Sequence, residues 1–238
     1  MDYNKFNFST LKNWFWDKNK FYIDKTSQIV RNQSKIKRSN IQITKSSNIS
    51  IEDNCNIFNS QISINKGTLF LAKNVSLKNA IIIIDEGSVF IGENSRIMGK
   101  IWVRYHGNVK IGNYTNINMN SELRSDESIT IGDFTQISYN VSIWDTNTHC
   151  IYPTQKRREL SQTIGIGNEI EKPVTRPVKI GNDCWIGKNC AIMKGCLIGD
   201  NVIVGYGTTL VNKTIENNTI VVPQIELKYK TNKNNITL

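Results

Sequence analysis

Near its C-terminal end the chain places an aliphatic residue at every sixth position: Ile180, Ile186, Ile192, Ile198, Val204 and Leu210. A smaller residue lies two positions before each rung, in order Val178, Cys184, Cys190, Cys196, Val202 and Thr208. A helix would carry every sixth residue to a new azimuth and leave no continuous apolar stripe, so a helix is excluded. A long flat strand fits little better, because Gly181, Gly187, Gly199 and Gly205 follow rungs and would interrupt it. The period does fit a solenoid in which each hexapeptide is one short strand and one corner, and three of them close a triangular coil. The rungs then point at the coil axis.

Upstream the ladder continues in altered form. Rungs are expected at Ile51, Ile57 and Ser63, at Leu71, Leu77 and Ile83, at Ile91, Ile97 and Val103, at Ile111, Ile117 and Leu123, and at Ile131, Ile137 and Ile143. Within a triplet the step is six and between triplets it is eight, so each coil carries two extra residues at one fixed corner. That corner reads Asn65-Lys66-Gly67, Asp85-Glu86-Gly87, Tyr105-His106-Gly107 and Ser125-Asp126-Glu127. The first corner of each coil is similar in kind, as in Asp53-Asn54, Lys73-Asn74 and Glu93-Asn94. Asn, Asp and Gly suit the left-handed backbone such corners need. Each buried aliphatic rung contributes about 1.5–3 kcal/mol.

Ile180-Gly181-Asn182-Asp183-Cys184-Trp185-Ile186-Gly187 and Val204-Gly205-Tyr206-Gly207-Thr208-Thr209-Leu210-Val211 resemble two signatures of the hexapeptide-repeat acyltransferases. The resemblance covers roughly residues 47–222. It implies an all-β, left-handed parallel β-helix; the periodicity alone leaves the hand open, and parallel crossovers are otherwise right-handed. Residues 1–46, with Trp14, Phe15, Trp16, Phe21 and Tyr22, lack a clear period and are expected to form a cap or an irregular first coil. Residues 223–238 are expected to be a tail.

The chain has 238 residues and is 39% hydrophobic, a low share that suits a thin solenoid. Its five cysteines are Cys55, Cys150, Cys184, Cys190 and Cys196, and three of these fall on small interior slots, where packing accounts for them. No zinc-type pairing is visible, so no metal is expected. No apolar run reaches the length of a membrane span and no signal-peptide core stands at the N-terminus, which makes the cytoplasm the expected compartment. The formal net charge is +10. No nucleic-acid motif accompanies it, and the charge fits the phosphates of a coenzyme, an acidic acceptor or general solubility. A membrane-surface role for the aromatic and basic N-terminal segment stays open.

The count breaks after Ile143. The next first-face rung was due at residue 151 and appears at Ile180, an insertion of 29 residues. Residues 144–177 therefore leave the column as a long loop at the corner that carries the small bulges below. Such loops are commonly functional. This one holds Trp144, Asp145, His149, Tyr152 and Arg176, of which Trp144, Tyr152 and Arg176 are candidate acceptor contacts. In the family the catalytic histidine lies in the loop before the tryptophan-bearing coil, and Asp145-Thr146-Asn147-Thr148-His149-Cys150-Ile151 is similar to its approach. The resemblance makes His149 the general base, which suits an imidazole with an ordinary pKa of about 6.5. Asp145 either orients that ring or stabilises the turn. His106, on a corner two coils earlier, is a candidate contact for a further sugar, or simply a solvated turn residue.

The resemblance also assigns Trp185 to the active-site wall and acyl-donor channel. It places the backbone of Gly205, Tyr206 and Gly207 along the pantetheine arm of coenzyme A, with Lys188 and Lys213 near its phosphates. The chain departs from the family at Val211-Asn212-Lys213 and at Val222-Pro223-Gln224, and Cys150 stands where galactoside and maltose acetyltransferases carry proline. It looks nearer to the sialate and capsule O-acetyltransferases. The implied protein is a homotrimer that moves acetyl from acetyl-CoA to a sugar hydroxyl by direct attack. An acyl-enzyme on Cys150, an N-acetyltransferase acting on an amino sugar, and a noncatalytic β-helix binding protein are the alternatives.

Overall fold

A computed structural model describes residues 17–163, 171–224, 226, 228 and 229. Parallel strands stack into a 15-stranded and a 9-stranded sheet. This is the β-solenoid that the expected left-handed parallel β-helix requires. The first face runs Ile51, Leu71, Ile91, Ile111, Ile131, Ile180 and Ile198, each beside the next. The second runs Ile57, Leu77, Ile97, Ile117, Ile137, Ile186 and Val204 and forms the smaller sheet. All of these residues are buried, and their side chains fill one continuous apolar column.

The third face departs from a strict six-residue step. Its aligned rungs are Ile62, Ile82, Ile101, Leu123, Ile143, Ile192 and Leu210. Ser63 and Ile83 turn outward between the buried pairs Ile62/Ile64 and Ile82/Ile84. Val103 is buried as expected, but it lies beside Ile84 and Ser125, one inward position further along. The cause is the corner between the second and third faces, which shortens in these coils. At its tightest, Gly99 lies so close to the next coil that an added Cβ would come within 2.4 Å of the Ser121 carbonyl oxygen.

The corner between the third and first faces is the one that carries the bulges. Strands Gln61–Leu71, Ile81–Ile91 and Lys100–Ile111 run through it unbroken, which is why the first and third faces belong to one sheet. Lys66, Glu86, Tyr105 and His106 turn there with positive φ. At the corner between the first and second faces the left-handed position is held by Asn54, Asn74 and Asn94, and then by Tyr114 and Phe134, whose rings stack with centroids 4.9 Å apart.

The column begins earlier than residue 47. Lys20–Ile23 pairs with Asn40–Thr44, Gln28–Arg31 with Asn48–Ile51, and Lys35–Lys37 with Asn56–Phe58, so residues 20–44 form coils in the same register. Arg31 occupies a first-face rung position, which hides this coil from a search for aliphatic rungs. Phe21 and Tyr22 are exposed on the terminal strand. Trp14, Phe15 and Trp16, assigned above to a cap, lie outside the described residues. Among the described residues no helix is long and apolar enough to cross a membrane.

Candidate active site

The long loop leaves the column directly after strand Ser142–Trp144 and returns at strand Val178–Ile180. It contains the helix Thr154–Thr163, unforeseen because its sequence, TQKRRELSQT, carries no apolar stripe. The two stems are joined by an antiparallel bridge between Thr146 and Thr175 and by Asn147 N donating to the Val174 carbonyl at 3.0 Å.

Asp145 anchors the root. It is fully buried. Its Oδ1 accepts from the Asp126 amide at 2.8 Å, and its Oδ2 accepts from the Ser125 hydroxyl at 2.7 Å and the Glu127 amide at 3.0 Å. Its own carbonyl accepts from the Arg176 amide at 2.9 Å. Of the two roles considered for Asp145, these contacts fit the turn-stabilising one: the carboxylate holds the corner of the coil below. Burial pushes its carboxyl above the ordinary aspartate value, against the pull of the three donors.

His149 stands exposed four residues further on, after Thr148, a β-branched residue with φ of 66°. Cys150 follows, half-buried, its thiol against the Glu171 and Lys172 carbonyls at 3.5 Å. A hydrogen bond with Cys150 raises the Tyr152 phenol above its ordinary pKa, and Lys156 Nζ sits 4.2 Å from the Tyr152 ring centre while pairing with Glu171 at 2.9 Å. The loop leans down the column: Tyr105 OH donates to the Glu171 carbonyl at 3.5 Å, and Arg104 Nη2 to the Thr148 carbonyl at 3.4 Å.

Trp144, Arg124 and Trp102 form an outward row in register on the third face beneath the loop. Trp102 has three cations around its ring, Arg124 at 4.4 Å, Lys100 at 4.5 Å and Arg104 at 5.4 Å. Trp144 Nε1 is buried without a hydrogen-bond partner among the described residues. Arg176 bonds Asn212 Oδ1 at 2.8 Å, which puts Lys213 on this same edge of the column. His106 is exposed on its corner, 3.3 Å from Glu86.

The other expected donor-site residues lie elsewhere. Trp185 projects from the nine-stranded sheet and is 56% exposed. The next corner holds Lys188, Gly205, Tyr206 and Gly207 together: the Gly207 amide donates to the Lys188 carbonyl at 3.0 Å, and Asn189 Nδ2 to Tyr206 OH at 2.9 Å. Around Gly207 an added Cβ would meet open space. The nine-stranded sheet is the face opposite the loop's corner, so within one chain Trp185 and the root of the loop that carries His149 lie on different sides of the column. Among the described residues no group of three or more His, Cys, Asp or Glu side chains is placed to hold a metal ion.

Residues 177–212 match the family model described as bacterial transferase hexapeptide (six repeats). Over this stretch the coils are similar to hexapeptide-transferase repeats. No curated protein matches the chain. Among solved structures, the polySia-specific acetyltransferase NeuO is similar at 19% identity and a TM-score of 0.53, with 90% of this chain and 93% of that one covered, which shows the shared fold. The hexapeptide-repeat-containing acetyltransferase VCA0836 from Vibrio cholerae is similar at 24% identity over 56% of this chain and 68% of that one, with a TM-score of 0.45. The polysialic acid O-acetyltransferase OatWY is similar at 21% identity over 92% of this chain and 94% of that one, with a TM-score of 0.37.

The pairing of Arg104 with Asp126 beneath the loop was not legible in the sequence. Asp126 was visible only as part of a corner, and its partner Arg104 lies one coil away at an irregular spacing of 22 residues.

Proposed function

We propose that the protein is an acetyl-CoA-dependent O-acetyltransferase acting on a sugar hydroxyl of a glycan. The observation that carries this reading is the anchored loop that presents His149 just before a run of hexapeptide-transferase coils. NeuO, which shares the fold, is a polySia-specific acetyltransferase.

The residues present fit the donor. Trp185 and Tyr206 offer exposed aromatic surface for the pantetheine arm beside the open backbone at Gly207, and Lys188 stands at the same corner as a phosphate contact. Acetyl-CoA supplies an activated acyl carbon. His149 takes the proton from the acceptor hydroxyl as its oxygen bonds to that carbon, the carbon–sulfur bond breaks, and the proton passes to the departing thiolate. An acceptor lying along the loop would meet Trp144, Tyr152 and Arg176 on its near side and His106 two coils lower.

Because the root of the His149 loop and Trp185 lie on different sides of the column, a site that joins them draws on a second copy, which supports a closed trimer with each site between neighbours. His149→Ala is expected to lower turnover by about 10²-fold or more while acetyl-CoA binding persists. A thiol-release assay with a glycan panel checks this, and near-wild-type turnover would remove His149 from the mechanism. An alkali-labile product identifies an ester, and a stable one identifies an amide.

A further inference from the structure

The turn before His149 is held in a conformation its sequence does not favour. Thr148 has φ of 66°, in the left-handed region that β-branched residues avoid. Its amide donates to Thr146 Oγ1 at 3.0 Å, and its carbonyl oxygen is 3.4 Å from Arg104 Nη2. That guanidinium is itself fixed. Nε donates to Asp126 Oδ1 at 2.9 Å and Nη2 to Asp126 Oδ2 at 2.7 Å, a two-point grip on a fully buried carboxylate. The Asp126 amide in turn donates to Asp145 at the loop's root. Three successive corners of the column thus converge on the backbone that carries His149.

We propose that Arg104 is a positioning residue for His149, acting through the Thr148 carbonyl, with Asp126 fixing the plane of its guanidinium. This rests on the reading of His149 as the base. A planar fork serves here because two of its donors saturate Asp126 while Nη2 still reaches a second acceptor. An ammonium pairs with the carboxylate as a point charge and fixes no plane.

Arg104→Lys and Asp126→Asn test the proposal. The first keeps a charge opposite Asp126, and the second leaves no buried carboxylate unpaired, so both are chosen to fold, as circular dichroism would verify. Each is expected to lower kcat about tenfold or more with KM for acetyl-CoA within about twofold, because misplacing the base costs rate without weakening the donor site. The chain has two histidines, so NMR gives two imidazole signals, assigned with His106→Gln. The His149 signal is expected to broaden or move in both variants, and in Asp126→Asn that of His106 stays put. A folded variant with wild-type kcat and an unchanged His149 signal would overturn the proposal. If His149→Ala itself leaves turnover intact, the base reading fails instead, and the imidazole signal still decides whether Arg104 holds that turn.

Discussion

Asp145 receives a donor on each oxygen and two on one of them, so neither can become an amide NH₂ without facing an N–H or O–H. Asp145→Asn, nearly isosteric, is therefore expected to cost about 1–3 kcal/mol, measurable by chemical denaturation. The pH dependence follows from the raised folded-state pKa. The folded chain holds this proton more tightly than the unfolded chain, so the stability it contributes is full below the ordinary value of 3.8 and is lost as pH rises through the raised value. Asp145→Asn should lack that component of the slope. His149 was singled out because its neighbours resemble a family pattern in local sequence. The Asp145 contacts were not, since their partners lie 18 to 20 residues earlier and meet it only when coils stack. The left-handed turn at Thr148 was equally invisible, because threonine is a poor residue for it.

At the scale of the coil, two faces could be read directly and one could not. From Ile51 to Ile137, before the long loop, the first and second faces repeat every 20 residues, so a fixed step finds those rungs. The third follows a corner of variable length, and a fixed step of six lands on Ser63 and Ile83, which point outward. Gly99 marks the shortest corner. Gly99→Ala would press a methyl against the Ser121 carbonyl oxygen, and since that contact is backbone it cannot step aside. A loss of about 1–3 kcal/mol is expected, read as a lower Tm. An unchanged Tm would mean that the corner is looser than its 2.4 Å approach implies.

At the scale of the molecule, the column places Trp185 and the root of the His149 loop on different sides. On the proposal that each site draws one residue from each neighbour, subunits carrying His149→Ala and subunits carrying Trp185→Ala, mixed in equal amounts and refolded together, are expected to recover about a quarter of wild-type activity. A site built within one chain would recover none. Light scattering should give three times the chain mass of 27.2 kDa.

The stacking also has a consequence in time. Most coil-to-coil hydrogen bonds close a loop of about 20 residues, but the bond from Asp133 N to Asn182 Oδ1 spans 49. Closing that longer loop costs about 0.8 kcal/mol more in chain entropy, on top of ordering the loop itself. In a solenoid, where each coil is templated by its neighbour, order spreads like a zipper. Hydrogen exchange should therefore show a step in protection between strands Ser128–Ile131 and Val178–Ile180. The seam that presents the candidate base is thus also where the advancing zipper pauses, and the coils beyond it can open without unravelling those before.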